Sequence, residues 1–570
     1  MRTWRWLAVL AVLGLVLAAC AGPGTSASSA PSSSAVTPSA SAGPPFEATA
    51  YPEDGPAKCG ADNNPSNISE IKATDEHTVV FTLCTPDVAF LSKVAFSAFA
   101  INDTEYLKAH IPDGSIVEKP NGTGPYKLDA WNRGSDVTMS AFDGYWGDKA
   151  LSKTLIIKWS AEAAQRLVEL QSGSVDGIDN PGPDDFKTIG DDPNLQLINR
   201  EGLNVFYVGF NNTFPPFDNE KVRQAIAMGI DRDRIVKNFY PPGSEVATHF
   251  TPCAIPFGCE GEDWYKFDAA AAKKLLADAG FPNGFDTKLH LRDVVRGYLP
   301  LPKEVATDIQ AQLKANLNIN ATIDIQESTT FIDNANAGKL DGIHMLGWGA
   351  DYPDQTNFLD FHVGAGASPQ FGKKFDDITA ALKTGASSKE DADRQAAYKT
   401  ADDALRTHVP LIPIAHGGSG VAFQKDIENA HTSPLGNEVF AVMSPGADDQ
   451  FVFMQNGEPG GLYCAEETDG ESLRVCNQMM ESLYAYKIGG TEAIPALAES
   501  CDPNTELTEW TCHLRSGVTF HDGSTLDAND VVLSYAVQWD AKNPLHKGRQ
   551  GTFDYFSALF GGFLNPPPAS

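Results

Sequence analysis

Leu346-Gly347-Trp348-Gly349-Ala350-Asp351-Tyr352-Pro353-Asp354-Gln355-Thr356-Asn357-Phe358 follows the apolar run Ile343 to Leu346 and closes in Pro and Asn turn signals. The run reads as a buried strand, which puts Asp351 at a strand's carboxyl end, where open α/β sheets keep their ligands. An Asp there can cap a turn, or it can hold a ligand ammonium by a charge-assisted bond while Trp348 and Tyr352 cover apolar parts. Other features of the chain favour the ligand.

Helices and strands alternate on both sides of this stretch. A hairpin reads at Ile71 to Leu83, with Val79, Phe81 and Leu83 on one face. Helices read at Ala161 to Gly173, after Phe217-Asp218-Asn219, from Asp268 to Ala279 and from Val305 to Leu317, each with a cap or stop signal or an apolar face. Near the end of the chain a second hairpin, Ala496 to Cys501 with Trp510 to Arg515, precedes a helix begun by Asp527 whose Val532, Tyr535, Ala536 and Trp539 face inward. This grammar predicts α/β lobes and not an all-β sandwich. The glycines of Gly122-Thr123-Gly124 punctuate strands, because no helix start or GK[ST] follows them to cradle a phosphate.

Arg2 and Arg5 precede an apolar run from Trp6 to Ala19. That is the charge order of an export signal, too short for a comfortable membrane span, and 1–19 is read as a signal peptide. Leu17-Ala18-Ala19-Cys20 resembles the lipobox of bacterial lipoproteins, which implies lipid on Cys20. The remainder of 20–45 is Ala, Ser, Gly, Pro and Thr almost throughout, a flexible tether that cannot bury a core. The expected address is the outer face of the cell membrane. A net charge of -31 repels nucleic acid and anionic lipid.

Setting Cys20 aside from nine cysteines leaves an even set in local couples: Cys59 with Cys84, Cys253 with Cys259, Cys464 with Cys476 and Cys501 with Cys512. In an oxidising compartment this reads as disulfides. Metal ligation is the rival, but there is no CxxC, no HExxH and no His spaced to complete a zinc site, so no metal or cofactor is expected.

Five segments together resemble the extracytoplasmic solute-binding proteins of ABC importers, in the dipeptide, oligopeptide and nickel class. They are Pro495-Ala496-Leu497-Ala498-Glu499-Ser500, His513 to Gly523, Gly122-Thr123-Gly124-Pro125-Tyr126, Phe217-Asp218-Asn219 to Ile226, and Gly347 to Phe358. In the family the first two come near the amino end; here they come last, so the chain resembles a circular permutation joined near Ser444 to Asp449, which folds tolerate when termini meet on a surface. The resemblance implies an α/β, bilobed, hinged fold like the type II periplasmic binding proteins of the three-domain peptide-binding subclass. Its small domain is expected from 46–118 and 491–570, a hinge-proximal lobe from 119–250 and 416–490, and a second lobe from 251–415.

By the same resemblance, Asp351 matches the Asp that pairs with a peptide's amino terminus. Arg296-Gly297-Tyr298-Leu299-Pro300 matches the Arg-x-Tyr-x-Pro segment whose Arg pairs with the carboxylate in dipeptide binders. Bidentate geometry suits Arg to that task, although a surface loop Arg is the other reading. Tyr298, Trp348 and His416 join the expected cleft, and backbone near Gly347 and Gly349 and near Thr468 and Asp469 offers strand-like hydrogen bonds to a peptide. The implied function is a monomeric, non-enzymatic receptor that closes on a short peptide and delivers it to an ABC permease. A nickel chelate, an opine or an oligosaccharide stays open as ligand, because the scaffold is shared. A secreted hydrolase is the rival class. His416-Gly417-Gly418-Ser419-Gly420 lacks GxSxG spacing, and no third group is spaced to join His521 and Asp522.

Overall fold

The hairpin read at Ile71 to Leu83 forms as strands Ile68–Asp75 and Thr78–Leu83, with Val79, Phe81 and Leu83 buried between half-exposed neighbours. That period of two belongs to a sheet with one wet face. The next strand comes from the far end of the chain. Glu509–Leu514 pairs antiparallel with Thr78–Leu83, Trp510 opposite Phe81 and Cys512 opposite Val79. Ala498–Pro503 and Ala50–Tyr51 form the two edges of this five-stranded sheet. Helix Ala528–Trp539 packs on it, opened by Asp527 and Asp530 in a reciprocal capping box, with Tyr535 and Trp539 fully buried. The computed structural model describes residues 46–292, 296–326, 328–446, 448–549 and 551–567. The export signal, Cys20 and the tether lie outside them.

A seven-stranded sheet runs, in order across, Tyr126–Asn132, Asp136–Ala141, Thr154–Trp159, Gln450–Gln455, Gly177–Asp179, Ser419–Gln424 and Leu195–Arg200. A six-stranded sheet runs Glu245–Val246, Leu411–His416, Asn204–Phe210, Ile343–Gly349, Asp286–Arg292 and Asn320–Gln326. Asn204–Phe210 is buried at every residue from Val205 onward, as a strand covered on both faces must be. The chain therefore enters this sheet near Leu203, ahead of the point between 250 and 251. Helices Glu220–Gly229 and Ala269–Asp278 are capped by Asn219 and Asp268, as read from the sequence.

The two ends of the described chain meet in the small domain: Asn67 N donates to Phe560 O at 2.6 Å, and Asn565 N to Asn63 O at 2.7 Å. Between Ser444 and Asp449, Pro445 is buried, while Gly446, Asp448 and Asp449 are exposed and lead into the central strand Gln450–Gln455. All four cysteine couples are disulfides, and Cys501 lies directly opposite Cys512 in the sheet register.

A buried ring of charge stands at the ends of Gly177–Asp179 and Leu195–Arg200. Arg200 meets Asp179 at 2.8 Å and Glu438 at 2.5 Å, while Arg474 meets the same two carboxylates at 2.9 and 3.0 Å. Burial would raise the Glu438 carboxyl, but the two guanidinium charges outweigh it and hold it down at about 2. The stability this carboxylate supplies is complete above its ordinary 4.5 and is lost as pH falls towards about 2. Arg474→Met, which leaves Arg200 alone to balance two buried carboxylates, is expected to cost about 3–5 kcal/mol in urea unfolding. An unchanged midpoint would show that the ring carries no net stability. Peptide mapping without reductant is expected to return the four disulfide pairs, and a long-range link between couples would overturn that scheme.

Candidate functional site

The chain passes twice between the six- and seven-stranded sheets, from Leu195–Arg200 into Asn204–Phe210 and from Leu411–His416 into Ser419–Gln424. The two crossings touch backbone to backbone. A Cβ on Gly202 would lie 1.8 Å from the Gly417 carbonyl oxygen, so no side chain fits there. The Asn204 amide brackets Gly417, accepting from its N–H and donating to its carbonyl, both at 2.8 Å. His416 belongs to this crossing: its buried Nδ1 donates to Asn204 O at 2.7 Å. Burial lowers the ring to about 4, with that hydrogen bond opposing, so the ring is neutral. This partner of His416 is structural.

Asp286–Arg292 and Ile343–Gly349 run parallel, and their carboxyl ends carry the two loops that the sequence singled out. Asn357, which was not singled out, organises the second loop. Its Oδ1 accepts from Asp351 N at 2.9 Å and from Trp348 Nε1 at 3.2 Å, while its Nδ2 donates to Asp351 Oδ2 at 3.0 Å. Burial raises the Asp351 carboxyl and the Asn357 donor opposes it. Trp348 stacks at 4.2 Å on Phe361, whose ring is 53% exposed. Tyr352 turns the other way, into the small-domain core beneath the Lys93 ammonium, 5.1 Å from its ring centre.

In the first loop, Arg296 and Leu299 close a turn through reciprocal backbone bonds of 3.2 and 2.9 Å, with the Arg296 side chain exposed. Tyr298 lies against Gly347, where a Cβ would come within 2.2 Å of the ring. Arg292 Nη2 donates to the Tyr298 hydroxyl at 3.1 Å, and the Tyr240 hydroxyl donates to Tyr298 O at 2.6 Å. Tyr298, Gly347, Trp348, Gly349 and Asp351 thus gather at one end of one sheet.

Asp469 caps helix Gly470–Met479, accepting from Ser472 N at 2.7 Å and Ser472 Oγ at 2.8 Å, and Thr468 beside it is exposed. Its carboxylate is committed to the helix. Tyr555, on the short helix Asp554–Phe560, senses both sides: burial first, then the charges of Asp351 and Asp469, push its phenol up to about 12. It meets Phe96 edge-on at 4.7 Å. Nothing local in the sequence marks Tyr555 or Phe361. His521 and Asp522 serve a turn, His521 Nε2 donating to Gly124 O at 3.0 Å and Asp522 accepting from Ser524 N at 2.9 Å.

The profile of bacterial extracellular solute-binding proteins, family 5 Middle, matches residues 22–370 and 492–554. The chain belongs to this family. The solute-binding protein is 30% identical to the dipeptide-binding protein of Escherichia coli (strain K12) over 390 residues, 67% of this chain and 72% of that one. It is also 30% identical over 409 residues to di/tripeptide-binding protein 1 of Pseudomonas aeruginosa (strain UCBPP-PA14), 70% of this chain and 75% of that one. Among solved structures, HbpA2 from Haemophilus parasuis is similar with a TM-score of 0.61 at 30% identity, covering 64% of this chain and 73% of that one. The fold is accordingly the bilobed α/β fold of periplasmic binding proteins, and the protein is an extracytoplasmic solute-binding protein. Among the described residues no helix is long and apolar enough to cross a membrane.

The contact between Tyr298 and Gly347 is open to a direct test. Gly347→Ala is expected to cost about 1–3 kcal/mol by overpacking, measured by urea unfolding, and most of that cost should vanish in a Tyr298→Ala background. Equal costs in both backgrounds would mean that the ring is not the obstacle.

Proposed function

We propose that this solute-binding protein captures a short peptide at the carboxyl ends of Asp286–Arg292 and Ile343–Gly349 and delivers it to the permease of an ABC importer. Asp351 takes the peptide ammonium and Arg296 its carboxylate. The observation that carries the reading is the Asn357 clasp: one amide orients Asp351 and Trp348 together, beside the exposed ring of Phe361. That combination offers a carboxylate and an apolar shelf to an amino-terminal residue. Relatives named for dipeptides and di/tripeptides support the same class. Heme-binding protein A of Haemophilus influenzae is 30% identical over 386 residues, so a different solute is a real outcome of the test.

We further infer that lipid on Cys20 holds the protein to the membrane as a monomer and that its segment order is a circular permutation of the family's. The meeting of Asn67 with Phe560, the exposed turn before Gln450 and the family match in two separate stretches support the permutation.

Calorimetric titration of free, amine-blocked and carboxylate-blocked dipeptides tests the anchors. Asp351→Asn and Arg296→Met are each expected to weaken binding by about 2–5 kcal/mol, tens to thousands of fold, while the apo protein stays folded. Blocking the amine should then matter little in Asp351→Asn, and blocking the carboxylate little in Arg296→Met. Equal effects of blocking in wild type and variants would remove both residues as anchors. Mass spectrometry of the peptide after incubation should find it intact, and cleavage would favour the hydrolase.

Burial raises the Asp351 carboxyl above its ordinary 3.8, and an ammonium binds the ionised form. Affinity is therefore expected to be full above the raised value and to fall as pH drops through it. Asp351→Asn should flatten that slope.

A further inference from the structure

Beside the short strand Tyr484–Tyr486, which pairs only with Ala493–Pro495, lies a partly enclosed cavity of about 130 Å³. Glu481, just past helix Gly470–Met479, lines it together with Tyr145, Ser97, Tyr484 and Tyr486. The Glu481 carboxylate accepts from Thr123 Oγ1 at 2.8 Å, Trp146 Nε1 at 2.9 Å and the Tyr145 hydroxyl at 3.0 Å. All three donors are neutral. Among the described residues no cation lies within ion-pair distance of it. Arg515, whose charge acts on it weakly, stacks over Trp146 at 4.5 Å, donates its Nε to Ala496 O at 2.6 Å and leans towards Glu499. Lys487 on the rim is exposed and pairs with Glu492 at 3.1 Å.

The remaining walls complete a recognisable set. Ser97 Oγ has no hydrogen-bond partner, and the residue is 5% exposed. The Tyr484 hydroxyl accepts from Cys501 N at 3.0 Å and the Tyr486 hydroxyl donates to Ser92 O at 2.7 Å, so both are engaged outside the cavity and the rings are left to line it. A carboxylate without a counter-charge, a free hydroxyl acceptor and several aromatic rings are what an organic ammonium needs: an ionic hydrogen bond, a second N–H acceptor and cation–π contact. The volume admits a few atoms and excludes a peptide.

We propose that this cavity is a second ligand site, separate from the Asp351 loop, that takes a small primary alkylammonium ion with Glu481 as its charge partner. Burial pushes the Glu481 carboxyl up to about 7 against its three donors, so proton and ammonium compete for it.

Thermal melts and calorimetry of the full protein, with methylammonium and propylammonium chloride as probes, test the assignment. Saturable stabilisation is expected with both, and none with tetramethylammonium chloride, which has no N–H, or with sodium chloride. Glu481→Gln should weaken the response at least about tenfold. In wild type, lowering pH below about 7 should weaken it by up to about tenfold per unit. Ala485→Met, which fills the cavity and leaves Glu481 intact, should abolish it, and this variant stands in if Glu481→Gln does not fold. Equal stabilisation by sodium chloride, no saturation in wild type, or undiminished binding in both variants would overturn the proposal. Dipeptide titration of Ala485→Met keeps the two sites distinct, because peptide binding at the Asp351 loop should be unchanged there.

Discussion

Two strands cross between the sheets at Gly202 and Gly417 so closely that a methyl group on Gly202 would overlap a carbonyl oxygen. The proposed site lies close to this contact, because the loop that carries Asp351 begins one strand away from Asn204–Phe210 and the loop that carries Arg296 two. Asn204 locks the pair by satisfying both backbone groups of Gly417, and His416 adds a bond to Asn204 O from within the strand. Gly417 also receives the Arg296 turn, since a Cβ on it would meet the Gly297 carbonyl at 2.0 Å. A short double connection of this kind permits rotation of one lobe about the other and resists sliding, which would break the Asn204 bracket.

Charge is distributed unequally over the interior. Several buried sets are balanced: Arg200 and Arg474 with Asp179 and Glu438, Lys93 with Asp87, Arg394 with Asp354. Removing charges from water is costly, and each of these sets meets the cost with opposite charge at hydrogen-bond distance. Asp351 and Glu481 differ. Each is largely buried and held by neutral donors, each carboxyl is raised first by burial, and neither forms an ion pair among the described residues. Asp402 and Asp530 also lack an ion pair among the described residues and are raised by burial, so it is the loop around Asp351 and the cavity beside Glu481, and not burial alone, on which the two proposals rest.

Much was legible locally. Alternation along Thr78–Leu83, the caps Asn219, Asp268 and Asp527, and the turn after Ile343–Gly349 all rest on neighbours within a few residues. The cysteine couples were legible for the same reason, since each closes a short loop. The change from one sheet to the next falls in the short polar stretch Asn199 to Asn204, which by itself reads as an ordinary strand-to-strand turn. The Asp469 carboxylate caps a helix and His416 Nδ1 bonds across a strand crossing, partners that the sequence does not show.

By itself the sequence determined the α/β grammar, the extracytoplasmic family and the disulfide couples, because periodicity, capping and short-loop closure are local in the chain. Only the tertiary structure decided that Asn357 aims Asp351 and Trp348, that Tyr298 requires a glycine at 347, that Tyr555 from the far end of the chain senses Asp351, and that Glu481 borders a cavity. Each of these is a juxtaposition of groups whose positions are set by sheet register and close packing. Residue type reports what a side chain can bond, and only the packed fold reports which partner is within reach.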